Sequence, residues 1–430
     1  MHPLQEIVQK QKQGVAEGIC SVCSSSPYVI DAAIIQARET GTEVLIEATA
    51  NQVNQYGGYT GMKPADFRDY VLGRAAELGL PEEKVILGGD HLGPVAWKNR
   101  PAGEAMNMAE KLVYEFAAAG YSKIHLDASM PLGDEVTLTT EEIADRTVRL
   151  CKASEKAFAK TGTEKPVYVI GSEVPTPGGS GEEEELSVTK PEALLEMLEC
   201  FREKFEAAGL QDAWDRVVGA VVQPGVEFGN TSVHEYNPAE AETLSRMARG
   251  LQNIVLEGHS TDYQCESSLK KMVGDGIAIL KVGPALTFAA REALFALSRL
   301  EKKLDMMEML KWPFSDFEET LDRVMLAEPS NWNGHYTDEE PESTFLRKYS
   351  YSDRSRYYMH IPEVKDRLER MFANLDESSM PLTLLSQYMP VQYEKVREGA
   401  IEAGREGFAE ALVIDKVREV LAKYWRACGK

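Results

Sequence analysis

Eight short apolar runs recur along the first three hundred residues, each followed by a polar or glycine-rich turn and then by an amphipathic stretch. They are GICSVC (18–23), EVLIEAT (43–49), KVILGGD (84–90), KIHLDAS (123–129), PVYVIGSE (166–173), VVGAVVQ (217–223), NIVLEGH (253–259) and IAILKVG (277–283). Their length and β-branched content predict strands. Between them, stretches such as PADFRDYVLGRAAELG (64–79) and AMNMAEKLVYEFAAAG (105–120) follow a helical pattern. Near-continuous apolar strands alternating with helices indicate a parallel sheet covered on both faces. Eight such units predict an α/β fold closed as a (β/α)8 TIM barrel. The alternative, an open doubly wound sheet, calls for G-x-G-x-x-G after the first strand, and none is there. Beyond residue 300 the pattern turns polar and helical, as in EKKLDMMEMLKWPFSDFEETLDRVML (301–326) and REGAIEAGREGFAEALVIDKVREVLAKYW (397–425). The expected division is a barrel over 1–300 and a helical extension over 301–430 packed on it.

Composition narrows the class. A chain of 430 residues with 43% hydrophobic and 27% charged content is that of a soluble globular protein. The net charge of −22 argues against nucleic-acid and anionic-membrane partners, which select a basic face. No apolar run is long enough to cross a bilayer. MHPLQEIVQKQKQG at the start lacks the apolar segment of a signal peptide, so a cytoplasmic location is expected. Cys20-Ser-Val-Cys23 has no second pair to complete a zinc site, and the six cysteines read as reduced thiols. GGSGEEEEL (178–186) reads as a solvated acidic loop.

The chemistry collects where a barrel keeps its active site, at the C-terminal strand ends. The second run ends at Glu47 and leads into NQVNQYGGYTG (51–61), with Gln52 and Asn54. The third ends at Asp90 and His91, the fourth carries His125 and Asp127, the fifth ends at Glu173 and the sixth at Gln223. His259, Ser260, Thr261 and Asp262 follow the seventh, and Lys281 and Gly283 close the eighth. His91 and His259 with Asp127, Glu173 and Gln223 make a mixed nitrogen and oxygen set suited to zinc, manganese or cobalt. With no thiolate placed to close the site, such a metal keeps positions open for substrate. His125 and Asp127 share a strand face, and either fits as a packed supporting residue. His2, His234, His335 and His360 have no such context. A phosphate is expected at the loops after strands seven and eight, on Ser260, Thr261, Gly283 and the helix start near Ala285. Lys281 would add charge there or pair with Asp127 or Glu173 inside the barrel. Arg354 and Arg356, in SDRSRYY, read either as surface arginines or as a phosphate clamp over the mouth. In GGDHLGP, Gly88 and Gly89 are expected to leave room for substrate. Neighbouring side chains of a regular strand face opposite ways, so Asp90 and His91 can share a site only if the pleat breaks by His91.

Taken together, GICSVCSSSPYVI, VLIEATANQVNQYGGYTGM, ILGGDHLGP, FAAAGYSKIHLDASM, YVIGSEVPTPGG, VVQPGVEFG, GHSTDYQ, AILKVGPALTFAAREALFAL and YSYSDRSRYY resemble the accessory, Z-type subunits of tagatose-bisphosphate aldolase, a family related to class II aldolases. The resemblance covers nearly the whole chain. It implies a (β/α)8 barrel, a ketohexose phosphate as ligand, a divalent metal (zinc, or manganese, cobalt or nickel) and a homo-oligomer. It also implies Asp90 as the residue that moves protons, with His91 and His259 as metal ligands. Where class II aldolases carry a further histidine on strand six, this chain has Gln223, with Glu227 just beyond, and Glu173 could supply the missing ligand. Glu173 is also the rival or partner of Asp90 as base, and Asp127 stands where those aldolases carry another acid.

The family divides into non-catalytic subunits that support a separate catalytic aldolase chain and ketose-6-phosphate 4-epimerases. Both readings stay open here. An older family label, tagatose-6-phosphate kinase, finds no phosphate-binding glycine loop for ATP. Tagatose and fructose 6-phosphates differ at C4, which carries no acidic proton. Epimerisation there needs retro-aldol cleavage of C3–C4, rotation of the aldehyde and reclosure, which makes the epimerase and aldolase activities two outcomes of one chemistry.

Overall fold

The computed structural model describes residues 1–171, 187–378 and 380–430. Each apolar run forms a strand: β1 (Ile19–Cys23), β2 (Val44–Thr49), β3 (Val85–Leu92), β4 (Lys123–Leu126), β5 (Val167–Ile170), β6 (Val217–Val222), β7 (Val255–Gly258) and β8 (Ile277–Val282). Neighbours are parallel and stand in chain order, and β8 pairs back onto β1, with Ile19 opposite Ile279 and Ser21 opposite Lys281. The sheet is the expected closed barrel. Glu173 and the acidic stretch 178–186 lie outside the described residues.

Strand alternation layers the interior. At the N-terminal end, Ile19, Leu45, Ile86, Val167, Val255 and Ile279 form one buried cluster with Leu4, Ile7 and Val8. Those three belong to the Pro3–Lys12 helix, which closes the floor of the barrel against β6 and β8. Its N-cap is His2, whose Nδ1 accepts the Leu4 N–H at 3.2 Å. Two residues further along their strands, Glu47, Glu257 and Lys281 follow Leu45, Val255 and Ile279, so the floor of oil gives way to a layer of charge.

Outside the barrel run the covering helices, the last of them Pro284–Met306. The helical extension follows, and its final helix, Phe408–Ala427, packs between Pro27–Thr40, Glu266–Gly274 and Pro284–Met306. That position is the seam where β1 meets β8. The buried faces of the final helix and of the barrel helices belong to a single apolar core. Residues 397–425, which read as one helical pattern, are two pieces. One helix stops at Arg397 and the next starts at Phe408, because Gly399, Gly404 and Gly407 take φ of 78°, 73° and 81°. Such left-handed values suit glycine and end a helix. Cys20 and Cys23 lie on β1 as expected, and all six cysteines are free thiols.

Candidate active site

The Asp90–His91 pair sits on a β-bulge. Gly88 and Gly89 of β3 stand opposite Lys123 and Ile124 of β4, but Leu92 stands opposite Leu126. Two residues of β3 therefore face one, His125, and the pleat is broken where both side chains are needed. His91 takes φ 47°, a left-handed conformation that costs a non-glycine residue about 1–2 kcal/mol. The glycines serve the packing behind the site, which corrects the expectation that they admit substrate. A Cβ on Gly88 would lie 2.5 Å from Glu47 Oε1, and one on Gly89 would strike Leu92 and Phe116.

Three imidazoles meet above this bulge. Ring centroids lie 4.8 Å apart for His91 and His125, 4.9 Å for His91 and His259, and 5.5 Å for His125 and His259. Each outer ring is steered by a carboxylate. His91 Nδ1 donates to Asp127 Oδ2 at 2.8 Å, and His259 Nε2 donates to Glu257 Oε1 at 2.8 Å. With those protons fixed by the hydrogen bonds, lone pairs remain on His91 Nε2 and His259 Nδ1, and the latter is buried without a hydrogen-bond partner. Burial and the Lys281 charge push His259 well below the ordinary imidazole value, so its ring is neutral. His125 donates through Nε2 to Gly171 O at 3.0 Å and accepts the His91 N–H on Nδ1 at 3.2 Å. One ring nitrogen from each of the three lies within 4.8 Å of the other two. His91 and His259, each steered by a carboxylate and each with a ring lone pair left, are donors of the kind that hold a divalent transition metal, and His125 stands beside them as the third ring, so the residues fit such an ion.

Beneath the imidazoles lies a buried ionic layer. Lys123 Nζ lies 2.5 Å from Glu47 Oε1 and 2.7 Å from Glu257 Oε2, with all three side chains at 0% exposure. Lys281 pairs with Asp90 Oδ1 and stands 3.7 Å from Glu257 Oε1. Burial alone would raise Asp90, but His91 and Lys281 outweigh it and hold the carboxyl well below its usual range. Glu257 is held down in the same way by Lys123 and Lys281. Lys281 is thus committed inside the barrel, but to Asp90 and not to the expected Asp127, while Glu173, the other expected partner, lies outside the described residues.

Above the imidazoles opens a cavity of about 430 Å³. Its walls carry Gln52, Asp90, His91, His259, Ser260, Asp262, Lys281 and Gly283 from the barrel and Asp353, Arg356, Tyr357, His360 and Lys365 from the extension. Arg356 donates to Ser352 O and Asp353 O and to the Tyr357 hydroxyl, and its guanidinium lies 4.4 Å from the Tyr357 ring.

Other expected site residues turn away from this cavity. Asn54 folds its own loop, accepting the Tyr56 and Gly58 amides on Oδ1. Thr261 donates to Lys281 O and meets the Tyr424 hydroxyl of the final helix. Arg354 donates to Asn331 O. Gln223, expected as a metal ligand, spends its carboxamide oxygen on the Gly225 and Val226 amides at 2.9 and 3.0 Å. Beyond it, Glu227 sits in a two-residue antiparallel ladder with His234, and burial pushes it up to about 7. Asp127 orients His91 and also accepts from Ser129. The residue left out of the expected metal set is His125. Its period-two spacing from Asp127 signalled a shared face; the bulge that lifts His91 over it did not show in the sequence. His360, without context in the sequence, stacks on Tyr59 at 6.0 Å at the cavity wall.

A closed (β/α)8 barrel with a cluster of three imidazoles and a carboxylate at the C-terminal mouth is the architecture of an aldolase-related protein. The chain belongs to the family of GatZ/KbaZ-like subunits of D-tagatose-1,6-bisphosphate aldolase, which it matches over residues 4–429. It is 44% identical to a probable tagatose 6 phosphate kinase from Sinorhizobium meliloti 1021, whose crystal structure superposes with a TM-score of 0.86 over 96% of this chain and 100% of that one. The YdjI aldolase from Escherichia coli K12 is a remoter likeness, at 16% identity and a TM-score of 0.42 over 86% of this chain and 97% of that one.

Proposed function

We propose that the protein interconverts D-tagatose 6-phosphate and D-fructose 6-phosphate by metal-dependent retro-aldol and aldol chemistry at C4. The observation that carries this reading is the Asp90 carboxylate beside a cluster of three imidazoles, two of which, His91 and His259, wall the same cavity as Asp90. His91, His125 and His259 would hold the divalent ion, which supplies polarisation of the C2 carbonyl and stabilises the charge that develops as C3–C4 breaks. Asp90, kept ionised by Lys281, accepts the C4 hydroxyl proton as that bond opens. The aldehyde fragment turns its other face, the C3–C4 bond re-forms, and Asp90 returns the proton to the new C4 hydroxyl. Atoms balance over the cycle, and no oxidant is needed. Glu173 remains a candidate partner for the opposite epimer. Arg356 is the phosphate receptor: among the described residues it has no carboxylate at ion-pair distance, in a chain of net charge −22.

The second reading, favoured by the family's description as aldolase subunits, is a non-catalytic stabilising subunit of a class II D-tagatose-1,6-bisphosphate aldolase. One experiment separates them. The purified chain is incubated alone with fructose 6-phosphate and zinc, manganese, cobalt or nickel, and the sugars are resolved by chromatography. Tagatose 6-phosphate is the expected product. Triose phosphates would indicate an aldolase acting alone, and no conversion with any of the metals would favour the accessory role. Elemental analysis should find about one divalent ion per chain, as an imidazole site implies. His91→Ala, His125→Ala and His259→Ala should each lose it; full retention in all three would remove the metal from the reading.

A further inference from the structure

Barrels commonly bind phosphate at the loops after strands seven and eight, where a helix start offers free N–H groups. Here that place is already filled by the chain. Asp262 Oδ1 accepts the Gly283 N–H at 3.0 Å and the Ala285 N–H at 2.7 Å, at the first turn of the Pro284–Met306 helix. Asp262 is 3% exposed and lines the cavity. The next donor of that turn, the Thr287 hydroxyl, is given to Asp353 Oδ2. Two carboxylates of the protein therefore take the donors and the favourable dipole that a ligand phosphate would use. Asp353 in turn is locked by Arg291 Nε at 2.9 Å and by Ser355. Burial raises Asp262 to about 6 against the pull of the two amides, so it carries its charge at neutral pH. Arg356, on the wall contributed by the extension, has only carbonyl and hydroxyl partners among its hydrogen bonds. The cavity therefore holds both a cation without an ion pair among the described residues and an anion position already filled by the chain.

We propose that Asp262 is a specificity-determining residue that stands in for a ligand phosphate at this helix start, so that the cavity takes a ketose with one phosphate and rejects a bisphosphate. This rests on the reading of the cavity as a ketose-phosphate site and adds the substrate class. A second phosphate directed at the helix start meets occupied amides and two like charges. Asp262→Ser removes the charge and uncovers the amides. Asp262→Asn keeps shape and acceptor and removes only the charge.

The test measures dissociation constants by calorimetry for fructose 6-phosphate, fructose 1,6-bisphosphate and inorganic phosphate on the wild-type protein and both variants. The wild type should prefer the monophosphate by about ten-fold or more, the worth of a charge-assisted contact. Asp262→Ser should move that ratio about ten-fold toward the bisphosphate and tighten inorganic phosphate by a similar factor, with Asp262→Asn between it and the wild type. Should the serine variant fail to fold, the asparagine ratio decides, and an unchanged ratio overturns the proposal. Equal wild-type affinity for both sugars also overturns it. If neither sugar phosphate binds but inorganic phosphate binds the serine variant more tightly than the wild type, the stand-in role holds and the ketose-phosphate reading falls. Equal phosphate binding by the two proteins overturns the stand-in role itself.

Discussion

Asp90 pairs with Lys281 and lies 3.2 Å from the His125 ring and 3.7 Å from that of its own neighbour His91. Asp90→Asn keeps that shape but cannot take a proton. Turnover should fall roughly 10²–10⁴-fold, the usual worth of a general base, while bound metal stays near the wild-type level. Near-normal turnover would pass the role to Glu173. Lys123 is the test of the layer below. It lies fully buried between two carboxylates, and Lys123→Met leaves Glu47 buried without a cation and strips Glu257 of one of its partners. The cost should be about 3–5 kcal/mol, read as a lower urea midpoint, and an unchanged midpoint would contradict the pairing. At this scale the sequence announced the Asp-His pair, the strand-seven histidine and the need for a broken pleat. It did not announce that Gly88 makes room for Glu47, nor that Asp262 fills the helix start. Both depend on which side chain crosses the barrel, and no local spacing encodes that.

The Pro3–Lys12 helix shows how an element can hold a pH dependence. Burial lowers His2 to about 4 from its ordinary 6.5, and its Nδ1 accepts a backbone N–H. Below pH 6.5 the unfolded chain binds a proton there that the folded chain refuses until about pH 4. Stability should therefore decline as pH falls through that window and level off beneath it. His2→Asn keeps an N-cap and removes the titration, so its urea midpoint should fall less than wild type between pH 7.5 and 4.5. Parallel curves for the two proteins would show that the window belongs to other groups. Among elements, the strands were the most legible, because a strand buried on both faces must be apolar throughout. Helix ends in the extension were less so. The apolar period runs on through Gly399, Gly404 and Gly407, whose left-handed backbone, rather than a loss of pattern, separates the two helices.

For the whole molecule, the extension completes both the core and the site. Phe408, Leu412, Val413, Val417, Leu421 and Trp425 are buried on the final helix. Each is worth about 1.5–3 kcal/mol, and together they are as large as the ~5–15 kcal/mol that holds a domain folded. Removing residues 408–430 should leave a chain that aggregates on expression, seen as loss from the soluble fraction. A soluble, normally melting truncation would make the extension a separate domain. A milder change, Arg356→Leu, should keep the fold and weaken fructose 6-phosphate about ten-fold or more. Closure by eight units could be counted along the sequence. That the final helix returns to cover the β1–β8 seam could not, since an amphipathic face states that it needs cover without naming which surface provides it. No helix of the described residues is long and apolar enough to cross a membrane.

That returning helix also sets a timetable. Trp425 Nε1 donates to Thr42 across a separation of 383 residues, and the Gly18 N–H reaches Cys428 O. At about 5–20 residues per second, the ribosome delivers the cover about 20–80 s after the surface it must cover. Throughout that interval the face of the Pro27–Thr40 helix that the final helix covers lacks that neighbour. The seam where β8 closes onto β1 gains this cover only in a late step, when two segments distant in the chain meet. A nascent chain of this protein should therefore draw on chaperones for that time, and slowing translation should lengthen its vulnerability to proteases rather than help it fold.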